Sequence, residues 1–466
     1  MNFAVAIISL IPVILVGDLI HRAIYTKSEE QLEISHRPPL ALAFGIGAVT
    51  LVLFYSSLIN TRLALSVTIG LLVLVSLVYL VASARGGFPG AKRSASQRTA
   101  FLLLLAGALL VAILWYVSQE AGPGYDSYAH WGIKAKASFL DGGWNLTGEG
   151  LRRFSHPAYP LLVPSLQAWV YTILGDVDEG AVKIVFILMY LSLVGLFYFA
   201  VRQFFNKLLS VFFTLLMMST PLLAISTLAA YADVPLMFFL FGSILFLTKW
   251  LDDWQRENLL IGAVLAGLML LVKREAVVYW VVIFVFIASY YFLSRITSRS
   301  PISTRQMLVF PAAAVLITGS WFLLLRVTGV EQGSFETPSL DLLIDRSDRL
   351  VVIARSLFRE LFLNIGAWGI LWYLFVGTTI WKWRRLSDPS VFLPWISVVF
   401  PVLILSLSFV FSTWDEYTLH IDTALSRLIL HVVPLAWLFV AKQGFELNAW
   451  FNKLKAGAGN DSASNE

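Results

Sequence analysis

The chain has 466 residues, of which 58% are hydrophobic and 14% charged, with a formal net charge of +5 and a mean hydropathy of +0.78. A soluble protein carries charge on about a quarter of its residues, so an ordinary water-soluble globule is excluded and lipid is the solvent that fits. Cysteine is absent, which excludes disulfides, thiolate metal sites and cysteine nucleophiles together.

A spanning helix needs about 20 mostly apolar residues. On that basis the sequence predicts an all-α polytopic membrane protein of about thirteen spans. They lie near residues 3–21, 39–58, 62–83, 99–117, 180–200, 208–226, 234–250, 259–272, 276–293, 308–326, 365–381, 391–411 and 428–442. The first is read as a retained helix, because the start lacks a basic leader and a small-residue cleavage site. The 34 Phe, 16 Trp and 16 Tyr suit a chain with aromatic side chains at two membrane–water interfaces.

Orientation follows from the excess of Lys and Arg in cytoplasmic connections. Arg85, Lys92, Arg93 and Arg98 crowd one connection, Arg295, Arg299 and Arg305 a second, and Lys382, Arg384 and Arg385 a third. The C-terminal tail adds Lys442, Lys453 and Lys455. Thirteen crossings put all four clusters on one face, taken as cytoplasmic, and the N-terminus outside. Two long polar segments, 118–179 and the acid-rich 327–364 with Glu331, Glu336, Asp341, Asp345 and Asp348, then lie outside. Long loops are usually functional, so the chemistry is expected there, on the extracytoplasmic side of a plasma (inner) membrane.

The first of these loops opens on Gly122-Pro123-Gly124, which ends the preceding helix. A short interfacial helix follows, on which Asp126, His130 and Lys134 recur every four residues along one face. This is either a carboxylate–imidazole–ammonium set for general-base work or a salt-bridged surface helix. After an Asn-Leu-Thr sequon at Asn145, the segment Ser155-His156-Pro157-Ala158-Tyr159-Pro160 leads into the apolar stretch Ser165–Leu174. Its prolines and length predict a helix lying in the interface rather than crossing it.

Three smaller outer sites follow. Tyr231-Ala232-Asp233-Val234-Pro235 puts a carboxylate in a tight turn, where it serves either a site or the start of a helix. Lys273-Arg274-Glu275 sets three charges between two spans, either facing a polar cavity or forming a plain turn at headgroup level. Asp422, Ser426, Arg427 and His431 mark the outer start of the last span, with Arg427 and His431 one helical turn apart. Together these residues predict an outer cavity with carboxylates, histidines and cations, the cations placed to stabilise a developing phosphate charge.

These residues resemble the C-type glycosyltransferase superfamily, and within it the protein O-mannosyltransferase and lipid A aminoarabinose transferase branch. The resemblance rests on Tyr125-Asp126, His156-Pro157…Tyr159-Pro160-Leu161, Tyr231–Pro235, Lys273-Arg274-Glu275 and Ser426-Arg427-Leu428…Pro434, in order between about residues 99 and 442. Relatives often show Thr-Lys-x-Glu where this chain has Lys273-Arg274-Glu275, and Ala276 stands where a glycine is usual. The resemblance implies a large outer first loop with short interfacial helices, and an inverting transferase for a polyprenyl-phosphate sugar. Asp126 is then the base that deprotonates a lipid, glycan or protein acceptor, with Asp233 as the second catalytic carboxylate. Lys273, Arg274 and Arg427 would hold the lipid phosphate, and Tyr125, His130, Lys134, His156, Tyr159, Glu275 and His431 would line the substrate site. Some relatives bind a divalent cation through outer-loop acids; no ligand cluster here has metal spacing, so no metal or other cofactor is expected, and no nucleic-acid partner.

The chain divides on this reading into an added three-helix segment 1–98, a transferase-like module 99–326, an outer loop with variable helices 327–442, and a cytoplasmic tail 443–466. No phosphate-binding GxxxxGK[ST] loop is present, so an outer transferase would use a lipid-delivered donor. A lipid or oligosaccharide transporter, a surface-polysaccharide ligase or polymerase, and a non-catalytic membrane scaffold are the competing classes.

Overall fold

The computed structural model describes residues 2–25, 36–85, 110, 113, 114, 116–120, 122, 124–296, 302–330 and 335–444. Most of the span expected at 99–117 lies outside these residues. So do the basic residues Lys92, Arg93, Arg98, Arg299, Lys453 and Lys455, and also Pro123 and Glu331.

The protein is an all-α, multi-pass membrane protein. Among the described residues there is no β-strand, only a single antiparallel bridge between Phe335 and Ser412. Among the described residues, eight helices are long and apolar enough to cross a bilayer: Asn2–Ile24, Arg37–Ile59, Thr61–Ala84, Ala181–Arg202, Asp233–Asp253, Ala276–Ile296, Thr304–Thr328 and Pro389–Phe411. Two more apolar pairs are broken, Lys207–Met218 with Pro221–Leu228 at 66° and Tyr417–Leu430 with Val433–Gln443 at 45°. Proline explains both breaks, because Pro221 and Pro434 open their second helices and cannot continue the first.

Two expected spans fall short of the thirteen. The helix at 259–272 is Arg256–Met269, 14 residues, or about 21 Å against a hydrocarbon core of about 30 Å. The one at 365–381 is divided at Gly369 and leaves an 11-residue piece, Leu371–Trp381. The Leu162–Leu174 helix differs from expectation in another way. Every residue from Leu162 to Tyr171 is buried, so it is enclosed by protein rather than laid on an interface. Trp169 donates from its indole to Ser9 O at 2.9 Å, and the Arg37–Ile59 helix also packs against Leu162–Leu174.

The described helices of the segment 1–98 pack into the body of the protein, meeting Leu162–Leu174 and Ile184–Arg202. Two features hold its helices together. Asp18, a charge inside an apolar span, accepts from Arg37 Nε at 2.5 Å and Nη2 at 2.6 Å, from Arg22 Nε at 3.3 Å and from the Tyr79 hydroxyl. An acid at such depth persists only where its lone pairs are filled. Gly17 and Gly45 let the backbones of Ile11–Ile24 and Arg37–Ile59 touch, as small residues do where membrane helices cross. A Cβ on Gly17 would lie 1.7 Å from Ala41 O, and one on Gly45 would lie 1.9 Å from Val13 O.

Gly17→Ala should therefore force the two helices apart and destabilise the protein by about 1–3 kcal/mol. Thermal melting in detergent checks this. Gly70, whose Cβ would meet nothing within 4 Å, is the control, and equal melting of Gly17→Ala and Gly70→Ala would refute the close crossing.

Candidate active site

One end of the helix bundle gathers three of the four polar segments singled out in the sequence onto one carboxylate. The turn before Asp233–Asp253 is tight enough to hold Ala230 at φ 57°, a left-handed conformation that a non-glycine residue adopts only when its surroundings enforce it. Asp233 opens the helix, where the N-terminal dipole favours an anion. It is fully buried. Its Oδ1 accepts from Lys273 Nζ at 2.8 Å and from His431 Nε2 at 2.7 Å, and its Oδ2 from Arg427 Nε at 3.0 Å and Nη2 at 2.8 Å. A buried carboxylate is tolerable when such donors fill it.

Arg427 turns its remaining amino group, Nη1, to Asp126 Oδ2 at 2.5 Å. One guanidinium thus bridges two carboxylates from distant parts of the chain, and its plane lies over the Tyr231 ring, 4.4 Å from the centroid. The Asp126 side chain remains 26% exposed against 0% for Asp233. The loop that carries Asp126 is seated by Gly124. Its N–H donates to Ala229 O at 3.0 Å, and a Cβ there would come within 2.4 Å of the Tyr231 ring. The chain then makes one wide turn, Ser127–Gly132, in which Ile133 N–H reaches back five residues to Tyr128 O.

That wide turn changes the expected row of three. His130 stays with Asp126, at 3.6 Å from Nε2 to Oδ1, and shares a hydrogen bond of 3.0 Å between Nδ1 and Ser155 Oγ. Lys134 does not join them. It is buried, and its ammonium donates to the carbonyls of His156 and Tyr159 at 2.8 Å each. Burial pushes it down to about 7. Its visible work is to fold the 155–160 segment, which brings His156 within 4.1 Å of the His130 ring and stacks Tyr159 on Trp131. Leu162 N–H closes the arrangement on Leu271 O at 3.0 Å, beside the Lys273 turn.

Glu275 lies 3.3 Å from Lys273 Nζ through Oε1, while its buried Oε2 has no hydrogen-bond partner. Tyr125 is exposed at the mouth, its ring 5.9 Å from His130. Arg274 is also exposed. Lys273 and Asp233, which the sequence places in the phosphate-binding and catalytic sets, are both buried and bonded to each other. Among the described residues, no group of three or more His, Asp or Glu could hold a metal ion. Three contributors were missed in the sequence. Tyr231 lies under Arg427, Tyr279 sits 3.2 Å from His431 Nδ1 through its hydroxyl, and Ser155 is bonded to His130. Tyr279 carries no signal in an apolar span, but Tyr231 stood inside a motif already quoted.

Residues 155–322 match the family model described as dolichyl-phosphate-mannose-protein mannosyltransferase. Over that stretch the chain is similar to polytopic mannosyltransferases, as its motifs imply. The matched segment contains His156, Tyr159, Asp233 and Lys273–Glu275; Asp126 and Arg427 lie outside it and reach it through the bridge just described. A solved structure, ArnT from Cupriavidus metallidurans bound to undecaprenyl phosphate, is 15% identical with a TM-score of 0.49, covering 75% of this chain and 60% of its own. The chain thus spans 60% of that protein's length. No curated protein matches it significantly.

Two outcomes follow. Asp233→Asn leaves Lys273 and Arg427 without their shared counter-charge and should cost about 3–5 kcal/mol, whereas Asp126→Asn, at a half-open ion pair, should cost under about 1 kcal/mol. Melting temperatures of the two purified variants test this, and equal losses would remove Asp233 from its anchoring role. Acid provides the second. Burial, with His130 adding to it, pushes His156 down to about 4, while an unfolded histidine titrates near 6.5. The unfolded chain then binds the proton first, so stability is lost as pH falls from about 6.5 towards 4. His156→Gln should flatten part of that loss in melting curves taken across the window; an unchanged slope would show that His156 does not contribute.

Proposed function

We propose that the protein is a glycosyltransferase that moves a sugar from a polyprenyl-phosphate donor to an acceptor on the extracytoplasmic face of the plasma (inner) membrane, with inversion and with Asp126 as general base. The observation that carries this reading is the contrast between two carboxylates joined by Arg427. Asp233 is sealed and saturated with donors, while Asp126 is open to solvent with one oxygen, Oδ1, turned to His130. The match of residues 155–322 to dolichyl-phosphate-mannose-protein mannosyltransferases supports both the lipid-phosphate donor and glycosyl transfer. The outer placement rests on the sequence alone, where a count of thirteen crossings puts the basic connections on the opposite face.

In the proposed reaction the acceptor hydroxyl gives its proton to Asp126 as its oxygen bonds to the anomeric carbon from the face opposite the phosphate. The bond from that carbon to the phosphate oxygen breaks, and its electron pair leaves with the polyprenyl phosphate. Arg274, exposed next to Lys273, and the two N–H groups of Arg427 that bond neither carboxylate would stabilise that charge. His130, tied to Ser155, orients Asp126 and is a path for the proton to leave. The sugar, a hexose or a pentose, is set by parts of the site that these residues do not name.

A general base contributes about 10²–10⁴ in rate. Asp126→Asn should therefore lower transfer by at least about a hundredfold without lowering the melting temperature to the same degree as Asp233→Asn. Matched vesicles are given a panel of radiolabelled polyprenyl-phosphate sugars, and label arriving on membrane acceptors is counted. Full activity in the Asn variant would sink the base assignment. No transfer by the wild type from a panel validated on another enzyme would favour transport or polysaccharide ligation.

A further inference from the structure

Beside the ion-paired cluster lies a second polar recess of about 360 Å³, within the range of about 300–1,000 Å³ typical of small-molecule sites and large enough for a monosaccharide. One wall carries Arg359, Glu360 and Asn364, and the other carries Asp422 and Ser426 of the Tyr417–Leu430 helix. Asp422 and Ser426 are one turn apart and share a face of that helix. The residue after Ser426 is Arg427, so consecutive positions serve the recess and the Asp126 ion pair.

The chemistry of the walls is mixed. Glu360 Oε1 accepts from Asn364 Nδ2 at 3.0 Å and from Trp368 Nε1 at 3.1 Å, which fixes the carboxylate and leaves its other oxygen for a ligand. One guanidinium faces two carboxylates, which leaves the lining with one net negative charge. That sign repels a phosphate or other anion, in contrast with the cationic residues around Asp233. Hydroxyl groups, which both donate and accept, match a wall of carboxylate, amide, guanidinium and serine. Leu363 and Leu425 add apolar surface that suits the C–H face of a pyranose ring.

We propose that this recess binds the carbohydrate headgroup of the acceptor, a neutral polyhydroxylated sugar rather than a phosphorylated one. This rests on the transferase reading for its role in the reaction, though binding itself is measurable without turnover. The probe is a methyl hexopyranoside carrying a photoreactive diazirine, irradiated with the full-length protein in nanodiscs and mapped by peptide mass. The variants are Leu363→Trp, which fills the recess, and Asp422→Leu, which removes an acceptor of hydroxyl bonds. Both positions are exposed, so the fold should tolerate them.

The expected result is labelling of peptides within 356–364 and 421–426, reduced about tenfold in each variant. It should be competed by unlabelled methyl glycoside and not by hexose 6-phosphate, with binding of undecaprenyl phosphate unchanged. Labelling elsewhere, labelling that survives both substitutions, or stronger competition by the sugar phosphate would overturn the proposal. Transfer with an unchanged acceptor KM in both variants would also overturn it while leaving the transferase reading in place. A wild type that labels in the recess yet uses no donor would do the reverse, retaining the site and removing the reaction.

Discussion

Asp233 is the constraint on which the site depends. A carboxylate with no exposure in an apolar surrounding is prohibitively costly unless its oxygens are filled, and the chain fills them from far away. Lys273 is 40 positions distant, Arg427 194 and His431 198. Satisfying one charge therefore draws together a helix start, an interhelical turn and the break in the last helix pair. The break at Val432 contributes directly, because a continuous helix there would have no reason to stop with His431 turned to the acid. Tyr279 then supports the imidazole from the other side, so each donor around Asp233 is itself held in place.

Arg427 extends that anchored core to the part of the site that meets water. Its planar fork has five N–H donors, of which three go to Asp233 and Asp126, leaving one hydrogen on each terminal nitrogen. A lysine could make a point-charge contact but could not bridge two carboxylates and still offer a face to a third oxygen. The same geometry creates a competition. An incoming phosphate that takes more of the guanidinium weakens its hold on Asp126 and frees that carboxylate, while the bond to Asp233 keeps the side chain from moving far. In the proposed reaction, binding of a donor and release of the base would be coupled through this one side chain.

Hydropathy made much of the fold legible. Eight of the long apolar segments are helices near the positions read from the sequence, because about 20 apolar residues have few alternatives in lipid. Leu162–Leu174 was misread for a physical reason: a mostly apolar stretch after several prolines looks the same whether it faces lipid or protein. The span read at 259–272 was already short of about 20 residues, and the helix found there, Arg256–Met269, has 14. For the site, the residue types were visible but their pairings were not. Nothing local indicates that Arg427 belongs with Asp126, 301 positions away, or that Lys134 turns from its apparent partners to two backbone carbonyls. The spacing rule failed there because it assumes regular turns, and the chain widens at Ser127–Gly132.

The outer segment after residue 335 completes the arrangement. Arg349 donates to the carbonyls of Val410 and Ser412 at 3.1 and 3.2 Å, Glu336 N–H bonds Phe411 O at 2.8 Å, and His420 stacks on Trp414 with ring centroids 4.4 Å apart. These contacts tie the 335–363 segment to the start of the Tyr417–Leu430 helix, so both walls of the polar recess belong to one packed unit. The Asp233 core draws instead on the bundle, with Arg427 as its link to that unit. The two are not independent, because the Tyr417–Leu430 helix that lines the recess ends on His431, which bonds Asp233. Arg427 joins them as well, because its guanidinium holds Asp233 while its backbone belongs to the helix that lines the recess.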